Sequence, residues 1–118
     1  MKNFLAVFTG TDEMMGKSGW GALSEAARQE RMQAGTKAWH AWMADNEKQI
    51  VVSGSPVGKT RRVSAGGIED ARNAICGYIV VAAASQEAAA EMFVGHPHFT
   101  IFPGDAVEVM PCLPVPAA

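Results

Sequence analysis

Two segments of this chain are apolar on both of the faces a β-strand can present, and that limits what can surround them. In Lys2–Thr9, Phe4, Ala6 and Phe8 alternate with Leu5 and Val7. Successive strand side chains point to opposite faces, so neither face of this stretch is polar. Ile75 to Ala83 is a continuous apolar run with Tyr78 in it. Such strands sit in the middle of a sheet and need cover above and below. The chain has 118 residues, enough for one domain with one core and too few for two.

The remaining segments supply the cover. Thr11 to Leu23 reads as a loop rich in Gly, Met and Ser that carries Trp20. Ser24 is placed to cap a helix, with Glu25 at its positive end. Ala27, Met32, Gly35, Ala38, Trp39, Trp42 and Met43 then recur at three- and four-residue steps, an apolar stripe that ends before Asp45-Asn46. Ile50-Val51-Val52 opens a second strand, broken by Gly54-Ser55-Pro56. Arg61 to Ala65 forms a short third strand and Gly66-Gly67 a turn. Ser85 caps a second, Ala-rich helix that runs through Val94 with Glu87 in its first turn; Gly95 stops it and Pro97 prevents it restarting. Asp105 to Met110 is the last strand.

The order is β-α-β-β-β-α-β, and two split crossovers with both helices on one face give an α+β, ferredoxin-like sandwich. Helices on one face leave the other uncovered, although the first and fourth strands are apolar there too. A second copy of the chain is the expected cover, so a homodimer through the sheet face follows from the strand pattern. Residues 1–113 form the single domain, and 114–118 a proline-containing tail that cannot extend a ladder.

Charge and composition exclude several roles. Net charge is −2 and the only basic doublet is Arg61-Arg62, so no nucleic-acid footprint is present. The apolar run at the N-terminus stops at Thr9-Gly10, too short for a secretory segment, and no run reaches membrane-spanning length. Cys76 and Cys112 lie far apart in no metal-type spacing. Reduced thiols, a cytoplasmic location, and no nucleic-acid or membrane partner are expected. Gly54 to Thr60 has three residues between its glycines where a phosphate loop needs four, and a strand follows where a helix should.

Chemistry concentrates at the junction from Val94 to Pro111, which holds His96, His98 and Asp105. Imidazole is the side chain best suited to moving protons near neutral pH, and a neighbouring carboxylate can hold it in one tautomer. His96 and His98 form a His-x-His pair, but no third ligand stands at useful spacing, so no metal site is expected. Trp39 and Trp42 are read as core or as flat walls for a planar ligand. His40, between them on the helix, is read as a surface histidine. Tyr78 and Ser55 can offer hydroxyls to a ligand; no nucleophile elbow surrounds the serine.

Three stretches resemble the YCII-related proteins. They are Trp39-His40-Ala41-Trp42-Met43, Val52 to Thr60 with its Gly-x-Pro segment, and Pro97-His98-Phe99 followed by Val107-Glu108-Val109-Met110-Pro111. The resemblance implies a dimeric α/β barrel, two sheets packed face to face, with a cleft between each sheet and its helices and an acid–base site whose histidine is His98. Asp105 is not matched by motif and enters through its nearness in sequence. The Asp-Gly-Pro-Phe signature of one branch is replaced by Gly66-Gly67-Ile68-Glu69, so functions tied to that branch are not implied. The combined expectation is a ligand cleft near His98, with Ser55, Trp39, Trp42, Tyr78 and His96 as ligand-binding candidates. If the chain is an enzyme, it performs hydrolysis, elimination or isomerisation without a cofactor, with His98 as acid/base and Asp105 as orienting carboxylate. The competing expectation is a non-catalytic ligand-binding or accessory module acting as a homodimer.

Overall fold

The computed structural model describes residues 1–117; Ala118, the last residue of the expected tail, lies outside them. A four-stranded antiparallel sheet holds β1 (Lys2–Thr9), β2 (Ile50–Pro56), β5 (Ile75–Ala83) and β6 (Ala106–Pro111) in the order β2-β5-β1-β6. β1 and β2 both run antiparallel to β5, and β6 runs antiparallel to β1 on its other side. The fold is ferredoxin-like α+β. β3 (Thr60–Ser64) and β4 (Gly67–Ala71) form a separate hairpin inserted between β2 and β5.

The two strands that are apolar on both faces take the centre of the sheet, as their patterning demands. One face carries Phe4, Ala6 and Phe8 of β1 with Ile79, Val81 and Ala83 of β5. Helix α2 (Glu25–Asp45) packs Trp39, Trp42 and Met43 on it, and α3 (Gln86–Glu91) and the turn after it add Ala88, Ala89, Met92 and Phe93. The other face pairs Leu5 with Val80 and Met110, and Val7 with Tyr78. Tyr78 is 36 % exposed there and Met110 39 %.

Both serine caps form as the sequence predicts. Ser24 Oγ accepts from the Ala27 amide and Ser85 Oγ from the Ala88 amide, each at 3.1 Å. Gly35 is the one buried residue of α2, and a Cβ there would meet the ring of Phe102. Met32, on the same stripe one turn earlier, is exposed, because the helix outruns the layer it packs on.

Several local expectations are corrected. The segment 11–23 is not a plain loop: Thr11 caps a short helix, α1 (Asp12–Lys17), and Trp20–Ala22 form a 3-10 turn with Trp20 buried. Gly54 does not break β2. It takes φ 66 at a register shift where any Cβ would collide with the Tyr78 carbonyl, so the strand continues to Pro56 through a bulge. α3 ends at Glu91 and passes into tight turns in which Phe93 bonds back to Ala90 at 3.0 Å. Pro97 does not prevent a restart. It occupies the first position of α4 (Pro97–Thr100), where a missing N–H costs nothing and φ is already helical.

Among the described residues no helix is long and apolar enough to cross a membrane.

Candidate functional site

β1 ends beneath α4, and this brings His98 onto the main chain of Thr9. His98 Nε2 lies 2.7 Å from the Thr9 carbonyl oxygen. A carbonyl can only accept, so Nε2 carries the proton and Nδ1 keeps the lone pair. The Asp105 amide donates to the same carbonyl at 2.8 Å. His98 is 7 % exposed, and burial lowers its pKa against the opposing pull of the Thr9 bond and the Asp105 charge. The imidazole is therefore held neutral at physiological pH, in one tautomer, with a basic nitrogen to spare. Among the described residues the sealed, unpartnered side-chain nitrogen is His96 Nε2, so His98 Nδ1 is not shut away in the same manner.

Three further residues fix that ring. Gly104 lies so close that a Cβ would collide with the imidazole. Phe8 stands at 5.3 Å and Trp39 at 6.2 Å, both edge-on to it.

Asp105 takes a different part from the one its sequence position predicts. Its carboxylate does not reach the imidazole; it accepts from the Thr11 amide at 2.8 Å and from the Thr11 hydroxyl at 3.0 Å. The group that orients His98 is the Thr9 carbonyl, and Asp105 acts on it through its own amide and through charge.

His96 stands apart from the cavity described below. It is fully buried, and its Nδ1 accepts from the His98 amide at 3.0 Å, capping α4. Trp39, Trp42 and Phe8 surround the ring at 4.5, 4.8 and 5.2 Å. Burial, and secondarily the neighbouring His98, lowers its pKa to about 4. Nε2 must hold the proton, and no polar group receives it; the aromatic faces around it are the remaining acceptors.

A cavity of about 340 Å³ opens beside His98, between β2, β5 and α2. Phe8, Trp39, Met43 and Ile79 give it an apolar body; His40, Ser53, Ser55 and Cys76 bring polar atoms to it. Of the expected ligand-binding residues, Trp39 and Ser55 line this cavity. Tyr78 also borders it, although alternation with Ile79 directs its ring to the face shared with Val7. Trp42 does not line it: its indole N–H donates to the Met92 carbonyl at 2.8 Å and its ring stacks on Phe93 at 5.0 Å. His96 does not line it either, being committed to the cap.

Thr9 is not singled out by the sequence, where His40 reads only as a surface histidine and Cys76 only as a reduced thiol. Thr9 contributes a backbone oxygen, which side-chain chemistry cannot reveal. Cys76 is pushed up in pKa by burial and then by Asp105, which keeps it a thiol. A smaller pocket lined by Gly10, Thr11, Met15, Phe102 and Gly104 shares His98 and Cys76 with the main cavity. Among the described residues no group of three or more His, Cys, Asp or Glu is placed to hold a metal.

No family model matches the chain, and no curated protein matches it by sequence. A solved structure does match: 5-chloro-2-hydroxyhydroquinone dehydrochlorinase (TftG) from Burkholderia phenoliruptrix AC1100, in complex with 2,5-dihydroxybenzoquinone. The two superpose with a TM-score of 0.52 over 91 % of this chain and 89 % of that one, at 17 % sequence identity. The chain thus shares its ferredoxin-like α+β fold with a protein seen with a planar quinone.

Proposed function

We propose that the cavity binds a small planar molecule and that His98 exchanges protons with it, without a cofactor, in an elimination or isomerisation. The observation that carries this reading is the 2.7 Å bond from His98 Nε2 to the Thr9 carbonyl. It leaves a neutral imidazole with one basic nitrogen at the wall of an apolar cavity, the state required of a general base. Trp39 supplies a flat wall, Ser55 a hydroxyl, and Asp105 keeps His98 more basic than burial alone would. The planar quinone bound by the structurally similar dehydrochlorinase supports the ligand class. The motif likeness to YCII-related proteins belongs to the same proposal, as does a homodimer joined through the face of Leu5, Val80 and Met110.

A panel of hydroxylated benzenes and quinones, screened by thermal shift and then by proton NMR for turnover, tests it. Stabilisation of the wild type that disappears in His98→Ala, together with substrate turnover, is expected. Turnover that survives His98→Ala overturns the assignment of His98, and binding without turnover of any ligand favours a binding module.

A further inference from the structure

We infer that His40 is the second proton-transfer group of the cavity, so that the site works as a pair of imidazoles on a neutral hydroxylated ring. This rests on the proposed role of His98 and specifies what that reading leaves open: where the second proton goes. Any tautomerisation or elimination on a ring needs a proton taken from one atom and delivered to another.

The lining contains no Lys, Arg, Asp or Glu. An anionic ligand such as a carboxylate or phosphate would therefore be desolvated against an apolar wall with no opposite charge. Neutral phenols, hydroquinones and their keto tautomers incur no such cost. They do require groups that take and give protons, and the candidates in the wall are few. Cys76 is held as a thiol by burial and by the Asp105 charge. The Tyr78 ring is directed to the other face of the sheet. Two imidazoles remain, His98 from α4 and His40 from α2.

Helix geometry brings His40 to the cavity. Trp39, His40 and Met43 all line it, and residues three and four apart share a helix face, so the three form one contiguous patch. His40 is exposed, and the imidazole hydrogen bonds found among the described residues belong to His96 and His98. His40 is therefore free to engage a ligand and to exchange protons with solvent. His98, buried and tied to Thr9, serves as the fixed member.

The chemistry balances without an oxidant or reductant. One imidazole takes the proton of a ring hydroxyl, whose electrons become the carbonyl bond. The other, protonated, gives its proton to a ring carbon, forming C–H and the keto tautomer. The return path removes either proton from that carbon and restores the hydroxyl. In D2O the net result is replacement of ring hydrogen by deuterium.

Hydroxyhydroquinone, kept anaerobic in D2O, is the probe, and loss of its ring-proton signals is followed by NMR for wild type, His40→Ala and His98→Ala. Exchange above buffer is expected for the wild type. His40→Ala should lower it about 100-fold. Added imidazole should restore exchange in His40→Ala, since that end of the cavity is open to solvent, but not in His98→Ala. Exchange that falls in His98→Ala and holds in His40→Ala overturns the pair and leaves the role of His98 standing. A His40→Ala loss that imidazole does not restore likewise overturns a proton-transfer role for His40. No exchange by the wild type overturns both.

Discussion

Acidification should loosen this fold at one identifiable residue. His96 is fully buried among Phe8, Trp39 and Trp42, and as an α4 cap its Nδ1 must accept from the His98 amide. Protonation would turn that acceptor into a donor facing another donor and place a charge inside an aromatic cluster. The folded imidazole resists protonation down to about 4, against 6.5 for an unperturbed histidine. Between those values the unfolded chain binds the extra proton, so stability falls as the pH falls through this window and levels off below it. At about 1.4 kcal/mol per pKa unit, the gap amounts to roughly 3 kcal/mol of stability present at neutral pH and lost near pH 4. That is a large share of the ~5–15 kcal/mol of a domain this size. Urea unfolding across the window, for wild type and His96→Asn, isolates the contribution. Asparagine keeps a side-chain oxygen for the cap but does not titrate, and carboxylates common to both proteins cancel in the difference. The wild type should lose roughly 3 kcal/mol more than the variant on going from about pH 7 to about pH 4. Parallel losses in the two proteins would refute the burial argument.

Other perturbations separate the site from the core. Gly104→Ala pushes a methyl into the His98 imidazole and should abolish the ligand-induced thermal shift at a stability cost of about 1–3 kcal/mol. Trp42→Phe removes the N–H that serves the Met92 carbonyl; chemical denaturation should show a loss of about 1–2 kcal/mol with ligand affinity unchanged, whereas Trp39→Ala should weaken binding. Asp105→Asn removes the charge that raises the His98 pKa, so the acidic limb of activity, on which the neutral imidazole is lost, should move to lower pH in a pH–rate profile. Met110→Glu places a charge on the sheet face opposite Leu5; if the proposed homodimer forms through that face, light scattering should give a dimer for the wild type and a monomer for the variant.

Side-chain patterning made the frame legible. The apolar alternation of β1 and the unbroken run of β5 gave the central strands, and Ser24 and Ser85 gave the helix starts. What escaped was set by main chain or by tertiary context. The polar β4 has no alternation to announce it, and its partner β3 is exposed from Arg61 to Ser64; Val63 and Ile68 face each other across the hairpin at 75 % and 71 % exposure. Pro97 signals a helix end when read from Val94 and a helix start when read from His96, and only the fold selects the second. At the site, nearness in sequence pointed to Asp105 as the partner of His98. The imidazole instead met a backbone oxygen from the far end of the chain, and the carboxylate turned to Thr11. His40 is exposed, as its place on the helix leads one to expect, but nothing in a single helix tells that a neighbouring strand closes a cavity beside it.

The central claim, a neutral His98 held with its proton on Nε2 and Nδ1 available to a ligand, is most directly tested by nitrogen NMR of the three imidazoles. Near neutral pH, His98 should show a protonated Nε2 and an unprotonated Nδ1, and the Nδ1 resonance should move when hydroxyhydroquinone is added. A proton on Nδ1, or a His98 spectrum indifferent to every ligand that stabilises the protein, would contradict the account.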